Sequence, residues 1–240
     1  MSVVDTKGTT HEKIPRWEAD LWTYIGSGNG VNCPCNGSCQ SKRKYGECPD
    51  KHREQMKKLL SERNVDLNSF DFITGSNGRG VSCKLFQLIE RLAGKYIKMG
   101  AVRSAPVPTA LITLLDTQHP IDIREVKLKC CHGALWHQSD GWVIQLNSRD
   151  SSSMRRYSLF HEGFHILAHR RTTPIFRKMG RIEGAFNELL AGYFASSILM
   201  PRNWVVERWI QVGNLETMAR HFDVPESAMY IRLRQFGLIS

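Results

Sequence analysis

The chain is 240 residues long, 41% hydrophobic and 23% charged, a balance that excludes a disordered chain, a collagen and a coiled-coil rod. Lys and Arg number 33 against 23 Asp and Glu, and the net charge of +10 draws polyanions or acidic partners without identifying them. Unbroken apolar stretches such as Ala110 to Leu115 fall far short of the roughly 20 residues that a membrane helix needs, and the first residues, MSVVDTKGTTHEK, lack a signal-peptide core, so a cytoplasmic protein without membrane contact is expected.

Residues 15–25 (PRWEADLWTYI) predict a helix, with Pro at its start, Trp17, Leu21, Trp22 and Ile25 at helical spacing, and GSGNG after its end. Seven cysteines follow, at 33, 35, 39, 48, 83, 130 and 131; an odd number in a cytoplasmic chain argues against a full disulfide framework. Cys33, Cys35, Cys39 and Cys48 fall within 16 residues, among the turn formers Pro34, Asn36 and Gly37. That spacing suggests a structural Zn²⁺ site, with an iron–sulfur cluster or four unliganded thiols as alternatives and His52 as a spare ligand. Cys83, Cys130 and Cys131 read as core or surface thiols. A short helix, DKHREQMKKLLSER, comes next, and GSNGRG (75–80) reads as a loop, since it lacks the Lys and Ser/Thr of a phosphate-binding loop. Residues 1–80 are thus a Cys-rich N-terminal segment.

From residue 82 the pattern tightens. SCKLFQLIERLAGKYIKMG predicts a helix with Leu85, Leu88, Ile89 and Leu92 on one side and Gly100 as its stop; a second helix is expected over PVPTALITLLD. Strands are expected over VKLKC, GALWHQ and GWVIQLN, the last two forming a hairpin around Ser139-Asp140-Gly141. Residues 142–147 immediately precede the next helix, so an extended peptide is expected to pair with that strand. Asp150 and Ser151 to Ser153 can cap a long helix through Arg171. Another helix runs from 181 to 200 and stops at Pro201, and the tail (202–240) shows helical patterns over 202–211, 214–222 and 226–237. The order predicts an α+β fold, a small antiparallel sheet packed on helices.

The capped helix contains His161-Glu162-Gly163-Phe164-His165. Residues i and i+4 stand about 40° apart around a helix and one turn apart along it, so both imidazoles can reach one ion. Zn²⁺ accepts imidazole nitrogen and leaves a position for water at catalytic sites. Glu162, about 100° on, can take the proton of an attacking water and deliver it to a leaving amine. Tyr157, Phe160, Phe164, Leu167 and Ala168 form an apolar stripe, with both histidines on its border and Glu162 farther out. The plainer reading, two histidines on a surface helix, is disfavoured by the cap and the stripe. A third ligand is expected from a neighbouring helix: Glu188, which shares a face with Ala191, Phe194, Ala195 and Ile198, or its rival Glu183. In the tail, two short helices joined at Asp223-Val224-Pro225, with Arg232 and Arg234 on the second, have the outline of a DNA-reading helix-turn-helix, although such a pair more often packs on its own domain.

HEGFHILAH, followed by Glu188-Leu189-Leu190-Ala191-Gly192-Tyr193-Phe194-Ala195 and the ending Leu199-Met200-Pro201, resembles the ImmA/IrrE metallopeptidases, whose pattern is H-E-x-x-H, then E-x-x-A-N-x-F-A and Leu-Met-Pro. Gly192 stands where that pattern has Asn. The tail NLETMARHFDVPESAMYIRLRQFGLIS is similar as well, so the resemblance covers about 85–238. It implies a zincin-like metallopeptidase domain over 81–201, with His161, His165 and Glu188 as zinc ligands and Glu162 as the catalytic carboxylate. It also implies an endopeptidase that cuts a helix-turn-helix repressor to derepress phage, mobile-element or stress genes. The alternative is a DNA- or protein-binding regulator whose metal site is non-catalytic, contacting DNA through its basic surface.

Overall fold

The computed structural model describes residues 3–4, 10–11, 14–26, 84–129, 131–176 and 181–239. The expected helix at 50–63 and loop at 75–80 lie outside the described residues. Near the start, β1 (Val3–Val4) and β2 (Thr10–His11) pair antiparallel. Helix α1 (Arg16–Gly26) begins after Pro15, whose carbonyl accepts the Glu18 and Ala19 N–H groups, and it buries Leu21 and Trp22. Helix α2 (Lys84–Met99) buries Leu88, Ile89 and Leu92, the face expected from the sequence, and Gly100 closes it by donating to the Tyr96 carbonyl. The two helices are joined by an ion pair, Lys95 Nζ standing 2.9 Å from the buried carboxylate of Glu18.

The helix expected over 106–116 is a single 3₁₀ stretch, Thr109–Leu114. Pro106 and Pro108 lack the N–H groups that an α-helix would use. At the other end the Asp116 carboxylate accepts the Gln118 and His119 N–H groups and turns the chain away.

Three strands follow: β3 (Ile121–Val126), β4 (Gly133–His137) and β5 (Trp142–Asn147), in the order β3-β5-β4. The β4–β5 hairpin is antiparallel as expected. The strand predicted over 126–130 instead lies earlier and pairs parallel with β5, so the sheet is mixed rather than antiparallel. The chain leaves β3 at one edge, crosses to the far edge as β4, and turns back into the centre, which forces β5 to run alongside β3. Residues after Val126 leave the ladder because the Asn147 amide binds the Leu128 and Cys131 carbonyls. Central position buries Trp142, Val143, Ile144 and Leu146. Strand 142–147 therefore has a neighbour on each side and offers no edge to a peptide, contrary to expectation; β4 is the outer strand on that side of the sheet.

Helix α3 (Ser152–Phe176) is capped by Ser151, whose hydroxyl accepts the Met154 N–H at 3.2 Å. Its Phe160 and Phe164 are buried, and Phe164 packs on α4 (Arg181–Leu199), where Ala191, Phe194, Ala195 and Ile198 are buried. The rings of Phe164 and Phe194 lie 5.5 Å apart. The small residues of α4 allow this close approach.

The tail folds as α5 (Arg202–Val212), α6 (Leu215–Phe222) and α7 (Glu226–Gln235). Arg232 of α7 is 1% exposed. It donates to the Met200 carbonyl at 3.1 Å and to Gln235 at 3.0 Å, lies 3.2 Å from Glu90, and stacks on Phe236 and Tyr193. A residue so enclosed cannot read DNA, which removes one of the two arginines on which that expectation rested. It clamps the tail to α2 and α4 instead. Arg232→Ala should therefore lower unfolding stability by about 2–4 kcal/mol in urea titrations, because the Met200 carbonyl and the Glu90 carboxylate lose a buried partner. A change below about 1 kcal/mol would show that the clamp is dispensable. Among the described residues, no helix is long and apolar enough to cross a membrane.

Candidate metal centre

His161 and His165 stand one turn apart on α3, ring centroids 5.2 Å apart, and face Glu188 on α4. The helix contact brings the carboxylate between them. His161 Nε2 lies 3.0 Å from Glu188 Oε2, and His165 Nε2 lies 3.3 Å from Oε1. Ligand atoms of all three residues fall within 4.8 Å of one another, and among the described residues no other His, Cys, Asp and Glu group does so. A tetrahedral ion with bonds of about 2.0–2.1 Å has ligands about 3.3 Å apart, so two imidazoles and one carboxylate at this spacing fit Zn²⁺. The side chain of Glu183, the rival ligand, lies outside the described residues.

Electrostatics point the same way. Burial raises the Glu188 carboxyl pKa, but hydrogen bonds from both imidazoles and their charge outweigh it and hold the group well below the ordinary carboxylate range. Burial pulls the His165 imidazole down, while the Glu188 hydrogen bond and charge, with Glu162, bring it above its usual value. These three groups are held together by a charge balance that a divalent cation would take over.

Glu162 departs from expectation. Instead of lying farther out, it is 9% exposed, packed beneath the first residue of β4. A Cβ at Gly133 would stand 2.8 Å from Glu162 Oε1 and 3.1 Å from its Cγ, so only glycine leaves the carboxylate its place. Burial pushes the Glu162 carboxyl up, a change that the two imidazoles oppose in part. The available signal was a glycine opening the strand GALWHQ, a position where a close approach is common. A side chain at position 133 would therefore displace the Glu162 carboxylate.

A cleft of about 900 Å³ opens over this group. His132 and Gly133 line it on the strand side, Pro225, Tyr230 and Ile231 of the tail on the other. The tail is thus a wall of the site. His132 is oriented by Asp150, its Nδ1 2.8 Å from Asp150 Oδ2, so Asp150 serves this contact while Ser151 caps α3. Tyr157 of α3 donates its hydroxyl to the Gly192 carbonyl of α4 at 2.9 Å, and burial raises its pKa.

Cys33, Cys35, Cys39 and Cys48 lie outside the described residues, as do His52, Cys83 and Cys130. Cys131 is an exposed free thiol on the cleft.

Residues 116–234 match the IrrE N-terminal-like domain of Peptidase_M78. The match takes in the sheet, α3, α4 and nearly all of the tail. No curated protein matches the chain in sequence. Among solved structures, it is similar to a Mycobacterium tuberculosis transcriptional regulator at 12% identity and a TM-score of 0.52, over 71% of this chain and 52% of that one. At this identity the likeness is one of fold, and the chain spans about half the length of that structure.

Proposed function

The chain belongs to the Peptidase_M78 family through its IrrE N-terminal-like domain at residues 116–234, and from that premise we propose that it is a zinc-dependent endopeptidase with a zincin-like site. The observation that carries the reading is the convergence of His161, His165 and Glu188 beside a buried Glu162, on the floor of an open cleft. His161, His165 and Glu188 would hold the ion. When bound, Zn²⁺ supplies Lewis-acid polarisation of the scissile carbonyl and makes a nearby water more acidic. Glu162 accepts a proton from the attacking water at its carboxylate and passes it to the amide nitrogen as the C–N bond breaks, leaving a carboxylate and an amine. Its burial beneath Gly133 holds the carboxylate in one place for both transfers.

The substrate is a helix-turn-helix repressor, and its cleavage derepresses phage, mobile-element or stress genes. Incubating the protein, with zinc and with a chelator, with the repressor encoded beside it tests this: a cut that appears only with zinc supports the reading. The second reading is a DNA- or protein-binding regulator with a non-catalytic metal, supported by the net charge of +10. Specific DNA retention with no proteolysis of any candidate would favour it.

The N-terminal cysteines hold a second, structural metal. Four thiolates around Zn²⁺ carry a net charge of −2, which Lys42, Arg43 and Lys44 can offset. Metal analysis should give about two equivalents in wild type and about one in the Cys35→Ser, Cys39→Ser double variant. A visible band bleached by reduction would identify an iron–sulfur cluster instead, and equal metal content in both proteins would mean that these cysteines are loop thiols.

A further inference from the structure

Beside the His161–Glu188 pair opens a side cavity of about 240 Å³. It shares Tyr157, His161 and Glu188 with the main cleft, so the two spaces meet at the ligand group. Leu189 and Gly192 of α4 line it on one side, Ile231 and Gln235 of α7 on the other.

Gly192 has no backbone reason to be glycine. It lies within α4, and the glycines of positive φ among the described residues are Gly213 and Gly237. Nor does close packing require it, since among the described residues a Cβ there would meet a single atom within 4 Å, Tyr157 Oη at 3.5 Å, an ordinary contact. Glycine inside a helix costs about 1 kcal/mol relative to alanine. What its missing side chain provides is space: any larger residue at 192 would grow into the cavity.

The lining also restricts what can enter. Apart from His161 and Glu188, no charged side chain among the described residues lines the cavity, so a charged group placed deep within it would lack a partner there. Leu189, Ile231, Tyr157 and Tyr193 offer apolar and aromatic surface instead. We propose that this cavity receives the side chain of one of the two residues flanking the scissile bond, that it selects a large uncharged side chain such as Leu, Met, Phe or Tyr, and that Gly192 sets the size limit. The inference rests on the peptidase reading above, and it makes the tail part of the specificity apparatus, since α7 supplies the opposite wall.

The test uses the full-length zinc-loaded protein and a fluorogenic peptide series that differs only in the two residues flanking the cut, with Phe, Leu, Ala, Asp and Lys placed at each. Wild type should favour Phe or Leu over Ala at one position by about 10–200-fold in kcat/KM, and should reject Asp and Lys there. Gly192→Ala should narrow that ratio and Gly192→Leu should collapse it to about 3-fold or less, with metal content as in wild type and Tm no lower than in wild type. Anisotropy binding of the same peptides to zinc-loaded Glu162→Gln, with and without Gly192→Leu, gives a second readout. If wild type cuts none of the peptides, yet Glu162→Gln prefers the Phe peptide and loses that preference with Gly192→Leu, the cavity assignment stands and the peptidase reading falls. A wild type that cuts or binds without regard to size, or a Gly192→Leu variant that keeps the preference, overturns the assignment. Should Gly192→Leu fail to fold, Gly192→Ala decides, because its Cβ has room.

Discussion

Glu162→Gln should leave zinc bound at His161, His165 and Glu188 and lower kcat by about 10²–10⁴-fold, the usual worth of a positioned general base. The amide keeps the shape of the carboxylate in its slot beneath Gly133, so the ligand geometry has no cause to change. What it lacks is a site to accept the proton of the attacking water. KM should move little, because the lost interaction belongs to the transition state rather than to substrate binding. Metal analysis and peptide kinetics on one preparation check both halves. Turnover within about 3-fold of wild type would remove Glu162 from the reaction and make His132 of the cleft the next base to be tried.

Loss of a ligand should act in the opposite order, on metal first. Zinc sites of four ligands bind with about 10–16 kcal/mol, so each ligand accounts for about 3 kcal/mol and its removal should weaken affinity by about 10²-fold or more. His161→Ala, His165→Ala and Glu188→Ala should each lose zinc to a competing chelator that wild type resists, and activity should follow occupancy. Glu188→Ala carries a second signature in the metal-free protein. The Glu188 carboxyl is held below its ordinary value of 4.5, so it contributes stability that is present above about pH 4.5 and lost as pH falls through its folded-state value. The His165 imidazole is raised above 6.5, so its contribution is present below about pH 6.5 and lost as pH rises through the folded-state value. Both act together between about pH 4.5 and 6.5, and there the Tm penalty of Glu188→Ala should be largest. Full zinc occupancy and activity in Glu188→Ala would pass the third position to another residue, with Glu183 next to be tried.

The sequence by itself determined the parts of the site that one helix holds. Histidines at i and i+4 share a face through helix geometry alone, and the apolar stripe of α3 together with the Ser151 cap states where that helix begins and which side is buried. Glu188 was legible in a weaker sense: its apolar and small neighbours predict a close helix contact, but only the packing of α3 on α4, with Phe164 against Phe194, brings its carboxylate to the imidazoles. Tertiary structure alone decided the rest. Helical periodicity places Glu162 away from the stripe, and it is a strand from another part of the chain, entering at Gly133, that covers it. The direction of β3 and the central place of β5 depend on how the chain crosses the sheet, which no local pattern records. Arg232 reads as a surface cation on its own helix; burial becomes tolerable only where Glu90, the Met200 carbonyl and the Tyr193 ring from elsewhere in the fold meet it, with Phe236 from the end of its own helix. The tail wall and the space at Gly192 have the same origin. Short-range spacing fixes which side chains share a face, whereas long-range contacts fix what that face meets, and the burial, charge and shape of the cleft belong to the second kind.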